Sequence, residues 1–234
     1  MDFEKWLQIS SKISLILMGN KLATQVMRLR YLLFLLPALL CAAPAKKIPP
    51  PPPAPLIIID PGHGGYDLGA SVQSTYEKSL ALSTAMLVKK YLSQKGYKVI
   101  MTRTRDVYIS LKDRAAIANK TRGKLFLSLH FNADKNQSAS GIEVFYYNSA
   151  NKWRTRCSKK LAECTLSTLL AATEAPSRGV KIGNFHVIRE TEMPAVLIEA
   201  GFITHMKERG HLKDLRYRDK LARAISEGVD RYFK

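Results

Sequence analysis

The chain is poor in acid. Its 234 residues hold 19 Asp and Glu against 37 Lys and Arg, a formal net charge of +18. Cysteine is scarce as well, with three residues, which excludes a miniprotein stapled by disulfides. Apolar runs are short. Tyr31 to Leu40 is ten apolar residues, half of the ~20 needed to cross a bilayer core of ~30 Å, so a polytopic membrane protein is excluded. No internal repeat occurs, and no helix-turn-helix, zinc-finger or RNP pattern accompanies the basic charge. What remains is globular: 46% of residues are hydrophobic and 24% charged, which excludes a disordered chain or a collagen-like repeat. The positive excess implies a polyanionic surrounding, whether nucleic acid, anionic lipid or an anionic wall polymer.

The N-terminal part is organised differently from the rest. Basic Met27-Arg28-Leu29-Arg30, apolar YLLFLLPALL and small Ala43-Pro44-Ala45 follow one another as the three regions of an export signal, 27–45. We read 1–26 as an upstream extension that export does not need, with Met27, or else Met18, as the true start. Cys41 follows Leu40 rather than a small residue, which argues against lipid attachment. Residues 46–55, KKIPPPPPAP, form a stiff proline-rich linker that favours extended polyproline structure. Residues 56–234 are expected to be one domain. From residue 46 on there are 32 Lys and Arg and 17 Asp and Glu, so about +15 stays with the exported form.

Within the domain, Leu56 to Asp60 is a β-branched run typical of a buried strand. Helical spacing of Leu80, Thr84, Leu87 and Tyr91 predicts a helix over 74–94, opened by Ser74 and closed near Gly96. Further strands are expected over 97–102, 124–129, 141–147, 185–188 and 195–199. Further helices are expected over 110–120, 152–172 and 216–233. This alternation predicts an α/β single domain, a mostly parallel mixed β-sheet flanked by α-helices on both faces, with sites collecting where strands end. Cys157 and Cys164, seven apart on one helix, would sit ~10 Å apart, too far for a disulfide, and are expected to be small buried side chains.

Three strand ends carry chemistry. His63 stands in Asp60-Pro61-Gly62-His63-Gly64-Gly65, where glycines let the backbone approach a ligand. His130 leaves the strand KLFLSL. Two imidazoles on neighbouring strand ends resemble the start of a zinc site, which needs a third His, Asp or Glu. Glu77 is a candidate, but Ser74-x-x-Glu77 is also a capping box, and on the residues alone either role stands. Glu199 closes the apolar strand AVLIE, a place for a carboxylate either paired in the core or acting as a general base. His186 is expected to line the cleft, and His205 and His211 to lie on the surface.

Taken in order, DPGHGGYDLGA, YEKSLAL, SLHFNAD and MPAVLIEAGFIT resemble the zinc-dependent N-acetylmuramoyl-L-alanine amidases. The resemblance runs from about Ile57 to the C-terminal helix. It implies one Zn2+ held by His63, Glu77 and His130, a catalytic role for Glu199, and peptidoglycan or muropeptide as substrate. It also implies cell-wall remodelling and daughter-cell separation, in the periplasm or cell envelope. The stretch 150–191, where some members carry a plugging insertion, is expected to hold one ordinary helix and a short loop, leaving the site open without an activator. The chain is expected to be a monomer with no nucleic-acid partner and at most weak contact with an anionic membrane. A zinc peptidase or carboxypeptidase cutting within the stem peptide, and a non-catalytic wall-binding module, are the alternatives.

Overall fold

The computed structural model describes residues 54–234. The expected upstream extension, export signal and most of the proline-rich linker lie outside those residues. Strand β1, Leu56–Pro61, opens the domain, and the short strands β2 (Ser71–Val72) and β3 (Thr75–Tyr76) form a hairpin before helix α1, Glu77–Gln94. Next come β4 (Lys98–Met101), α2 (Leu111–Thr121), β5 (Leu125–Asn132) and β6 (Ile142–Tyr146). The chain then runs through α3 (Lys152–Thr173), β7 (Ser177–Ile182), α4 (His186–Glu190), β8 (Ala195–Phe202), α5 (Met206–Lys213) and α6 (Leu215–Phe233).

Six strands form one sheet in the order β4-β1-β5-β8-β6-β7. Strands β4, β1, β5 and β8 pair in parallel, and β6 turns antiparallel to β8. The β1 run is buried on both faces because its side chains alternate between two cores. Ile57 and Ile59 enter the larger core with α1, α3 and α6, while Ile58 enters the smaller one with Val187, Ile188 and Met193. The expected α/β architecture with helices on both faces is therefore the one observed.

Several boundaries differ from the sequence reading, each for a local reason. Helix α1 starts at Glu77 rather than Ser74, because Gln73 and Ser74 turn the β2–β3 hairpin with φ of 48° and 59°. Tyr76 is its N-cap, with no side-chain capping bond, so the capping box does not form. Residues 185–188, expected as a strand, belong to α4, a single turn with Arg189 N donating to Phe185 O and Val187 and Ile188 turned inward. Between Ala150 and Thr191 the chain holds α3, strand β7 and α4, not one helix and a loop. Strand β7 escaped notice because it is a polar edge strand with Gly179 at φ 86°, beside an irregular register at Ile142/Glu143. Helix α5 also escaped, its polar sequence lacking an apolar stripe. Cys157 and Cys164 are free and half-buried rather than core residues.

Helices α3 and α6 pack closely through Gly228, where an added Cβ would lie 2.7 Å from Thr165 Cα. In an open helix, Gly→Ala stabilises by about 1 kcal/mol. Gly210 of α5 has no atom within 4 Å of such a Cβ. Gly210→Ala is therefore expected to raise the urea midpoint, and Gly228→Ala to lower it by about 1–2 kcal/mol of stability, because overpacking against backbone outweighs propensity. Equal shifts in the two urea titrations would contradict this packing.

Candidate active site

The site forms where β1, β5 and β8 end side by side. Past Pro61 the chain makes a tight loop in which Gly64 and Asp67 exchange backbone hydrogen bonds of 2.9 and 3.2 Å. His63 sits in this loop at φ 59°, a conformation that costs a non-glycine residue of order 1 kcal/mol or more. Two buried arginines hold it there. Arg114 donates to Asp60 (2.9 Å), to Pro61 O (2.6 Å) and to His63 O (2.6 Å), and Arg103 donates to Pro61 O (3.0 Å) and Gly62 O (2.6 Å). Asp60 also accepts from Thr102 and Ser128, at 2.6 and 2.9 Å, so every part of this buried charge pair is bonded.

Glu77, at the first position of α1, is buried beneath the loop. Its Oε1 lies 2.8 Å from His130 Nδ1 and accepts from Phe131 N at 3.1 Å. Its Oε2 lies 3.1 Å from His63 Nε2 and accepts from Ala70 N at 2.9 Å. The other nitrogen of His63, Nδ1, is 2.9 Å from Asp67, so the ring is oriented from both sides. The two imidazoles meet edge to face with centroids 5.0 Å apart. Glycine is required close by: a Cβ on Gly62 would stand 2.3 Å from His130 Cε1, and one on Gly69 would stand 2.6 Å from Glu77 Oε2.

His63, Glu77 and His130 each offer a ligand atom, and these atoms all lie within 4.8 Å of one another. Two imidazoles and one carboxylate suit a divalent cation such as zinc. Burial works against a charged His63, but its pairing with Glu77 and Asp67 prevails and raises its pKa to about 9. Burial likewise opposes charge on His130 and is overcome by Glu77. Glu77, although desolvated, is held well below the usual carboxylate range by the two imidazoles. Glu77 is thus shared by the two rings, and a cation bound there would displace the proton that His63 holds at neutral pH.

Glu199 stands in register with His130 of β5 on one side and Glu143 of β6 on the other. Its Oε2 is buried with no hydrogen-bond partner. Burial pushes its pKa up to about 7, with help from the Glu77 and Glu143 carboxylates and opposition from His130 and His63. An unpartnered carboxylate oxygen that titrates near neutrality beside a cation-binding group is suited to moving protons. A cavity of about 250 Å³ lies beside the two imidazoles, bordered by His63, His130, Tyr108 and Leu111.

The structure thus brings together the four residues singled out in the sequence. His130 lies inside β5 rather than past its end, at a register irregularity between His130 and Asn132. The remaining histidines stand apart. His186 lies on α4 with Nδ1 3.3 Å from Arg189 and does not border the cavity. His205 caps α5, and His211 is exposed and packs beside Tyr217. Sequence reasoning passed over Asp60, Arg103, Arg114, Asp67 and Glu143. The signal available for Asp67 was its position four residues after His63 in a glycine-rich loop. Arg114, on α2, has no such local signal.

Comparison with known proteins places this geometry. Residues 57–231 match the profile of the Amidase_3 family, described as N-acetylmuramoyl-L-alanine amidase. N-acetylmuramoyl-L-alanine amidase LytC of Bacillus subtilis (strain 168) is 37% identical over 193 residues, 81% of this chain and 38% of LytC. The chain thus spans well under half the length of that relative. The crystal structure of an N-acetylmuramoyl-L-alanine amidase from Clostridium difficile 630 is 42% identical and superposes with a TM-score of 0.73 over 77% of this chain and 97% of that one. The catalytic domain of CwlV, an amidase from Bacillus (Paenibacillus) polymyxa var. colistinus, is 35% identical with a TM-score of 0.71, over 76% of this chain and 98% of that one.

Two measurements test the site. Asp60→Ala leaves the Arg114 charge buried and unpaired and is expected to cost about 3–5 kcal/mol in urea unfolding; a loss under ~1 kcal/mol would contradict the clamp. Zn2+ titrated at neutral pH into metal-free protein is expected to release protons from the His63–Glu77–His130 cluster. Calorimetry in buffers of different ionisation enthalpy reads the number, and buffer-independent heats would show that the imidazoles are already neutral.

Proposed function

Because the chain belongs to the N-acetylmuramoyl-L-alanine amidase family, we propose that it hydrolyses the amide between the lactyl group of N-acetylmuramic acid and the first L-alanine of the stem peptide. In this reading His63, Glu77 and His130 hold one zinc ion and Glu199 is the general base. The observation that supports it most directly is the buried His63–Glu77–His130 group with the unpartnered Glu199 oxygen on the adjoining strand.

An amide is a weak electrophile, so both the carbonyl and the attacking water need activation. Zinc in such a site supplies Lewis acidity, lowering the pKa of water from about 15.7 toward about 7 and polarising a carbonyl. Glu199 then does the proton work. Its Oε2 takes the proton of the attacking water and returns it to the alanine nitrogen as the C–N bond breaks. A carboxylate with a pKa of about 7 is matched to both halves of that task near neutral pH. Glu77 contributes the negative charge that balances a cation, and Asp67 keeps Nε2 of His63 turned toward the group. The shallow cavity leaves the imidazoles partly open, with 23% and 17% of the His63 and His130 side chains exposed, which suits a polymeric substrate.

The expected export signal and the basic charge together suit an envelope setting. An exported enzyme with about +15 on its mature part would meet the anionic cell envelope as its polyanion, consistent with a role in wall remodelling and daughter-cell separation. A peptidase acting within the stem is the competing reading, since the same residues could cut a peptide amide. Mass spectrometry of products from purified muropeptides separates the two: free N-acetylmuramic acid with an intact stem supports the amidase, and shortened stems overturn it.

Glu199→Gln is expected to keep bound zinc and lose about 10²–10⁴-fold in turnover, whereas His63→Ala loses both metal and turnover. The rising limb of the pH–rate profile should have its midpoint at or below about 7, because Glu199 must be ionised to accept the proton and a cation nearby favours that form. Metal analysis alongside hydrolysis assays checks this, and near-normal turnover in Glu199→Gln would assign the base elsewhere.

A further inference from the structure

The two sides of the strand-end edge differ in chemistry. On one side, Tyr66 of the glycine loop stacks on Tyr108 with ring centroids 4.3 Å apart and planes 26° apart. Both rings are open, with Tyr66 78% and Tyr108 42% exposed, and Leu111 beside them is 55% exposed. Their backbone is fixed from below. Asp106 accepts from Gly65 N at 2.8 Å and from Lys78 Nζ at 2.7 Å, and Lys78 also donates to Gly65 O at 2.7 Å. A contiguous, rigid, exposed aromatic surface at a cavity mouth marks a ligand contact rather than core packing.

On the other side, the buried Glu143 carboxylate receives Asn132, Arg178 and Lys181. The two cations share one carboxylate and remain 34% and 40% exposed, so both keep donors open to a ligand. Arg178 is steadied by Phe202, with Cζ 4.8 Å from the ring centroid. Strand order sets the separation. Tyr66 follows β1 and Arg178 and Lys181 lie on β7, with β5, β8 and β6 between them. Four strand spacings of about 4.8 Å make roughly 19 Å, the length of about six extended residues.

We propose that the substrate lies across this strand-end edge with its muramoyl sugar ring on Tyr66–Tyr108 and its stem-peptide carboxylates at Arg178 and Lys181. The inference rests on the amidase reading above. The two halves of the substrate differ as the two sides of the site do. The sugar half is uncharged, because its lactyl carboxyl is consumed in the amide, and pyranose rings present C–H faces that aromatic rings cover. The peptide half keeps free carboxylates, which planar guanidinium and ammonium groups bind. The opposite orientation would set those carboxylates beside Asp67 and Asp106 and leave the open donors of Arg178 and Lys181 unused.

The test uses the full chain and three synthetic substrates: a muramoyl-pentapeptide, the same pentapeptide carrying lactate without the sugar ring, and a muramoyl-pentapeptide with its carboxylates amidated. Tyr66→Ala is expected to raise KM about tenfold on both sugar-bearing substrates and less than twofold on the lactoyl peptide. Arg178→Gln, which leaves Lys181 on Glu143, is expected to raise KM about tenfold on the two carboxylate-bearing substrates and less than twofold on the amidated one. Each variant losing equally on all three substrates, or the two patterns exchanged, would overturn the proposed orientation. An unmutated chain that released no intact pentapeptide from the muramoyl substrate would overturn the amidase reading itself, an outcome visible before any variant is compared.

Discussion

Two arginine side chains grip the main chain at the end of β1, and the rest of the site depends on that grip. Arg103 and Arg114 take the carbonyls of Pro61, Gly62 and His63 in succession. The carbonyls of Gly62 and His63 lie past the end of β1 and lack a strand partner there. Their satisfaction lets His63 stay in a left-handed conformation and lets the glycine loop turn back toward α1. Asp60 makes the arrangement affordable, because Arg114 is almost fully buried and would be intolerable without a counter-charge.

Above this clamp, charges alternate across the strand ends. The imidazoles of His63 and His130 share the carboxylate of Glu77, Glu199 and Glu143 stand side by side on β8 and β6, and Arg178 and Lys181 close the row from β7. Glu143 is bonded three ways, while Glu199 is left with an unpartnered oxygen. Two neighbouring carboxylates thus differ in role because only one has been given donors. Burial, helped by the Glu77 and Glu143 carboxylates, pushes the Glu199 pKa up to about 7.

Much of this was legible in the chain. The β1 run, the amphipathic α1 and α6, and polar residues closing apolar strands all carry local signals that tertiary packing did not override. Glu77 was ambiguous because Ser74 offered a competing local use, and only the hairpin turn at Gln73–Ser74 removes it. Strand β7 and helix α5 were illegible for a different reason. An edge strand needs no apolar alternation, and a short polar helix held by Glu208, which bonds Gly141 N and Phe202 N, shows no stripe. Residues 185–188 carry β-branched apolar side chains that suit a strand, yet the path from β7 to β8 requires a turn of helix there.

By itself the sequence determined which residues could do chemistry, because imidazoles and carboxylates at the ends of apolar strands are few, and their surrounding glycines leave room for little else. It also determined the α/β class, since buried β-branched runs alternating with amphipathic helices can bury their apolar faces in few other ways. Only the tertiary structure decided that Arg103, Arg114 and Asp60 are the support of the site, that Glu143 is given donors and one Glu199 oxygen is not, and that an aromatic surface and a cationic one stand at opposite sides of the strand-end edge. Those facts depend on contacts between residues far apart in the chain, such as Asp60 and Ser128, 68 positions apart. A buried arginine and a solvated one are the same letter until the chain is folded around them.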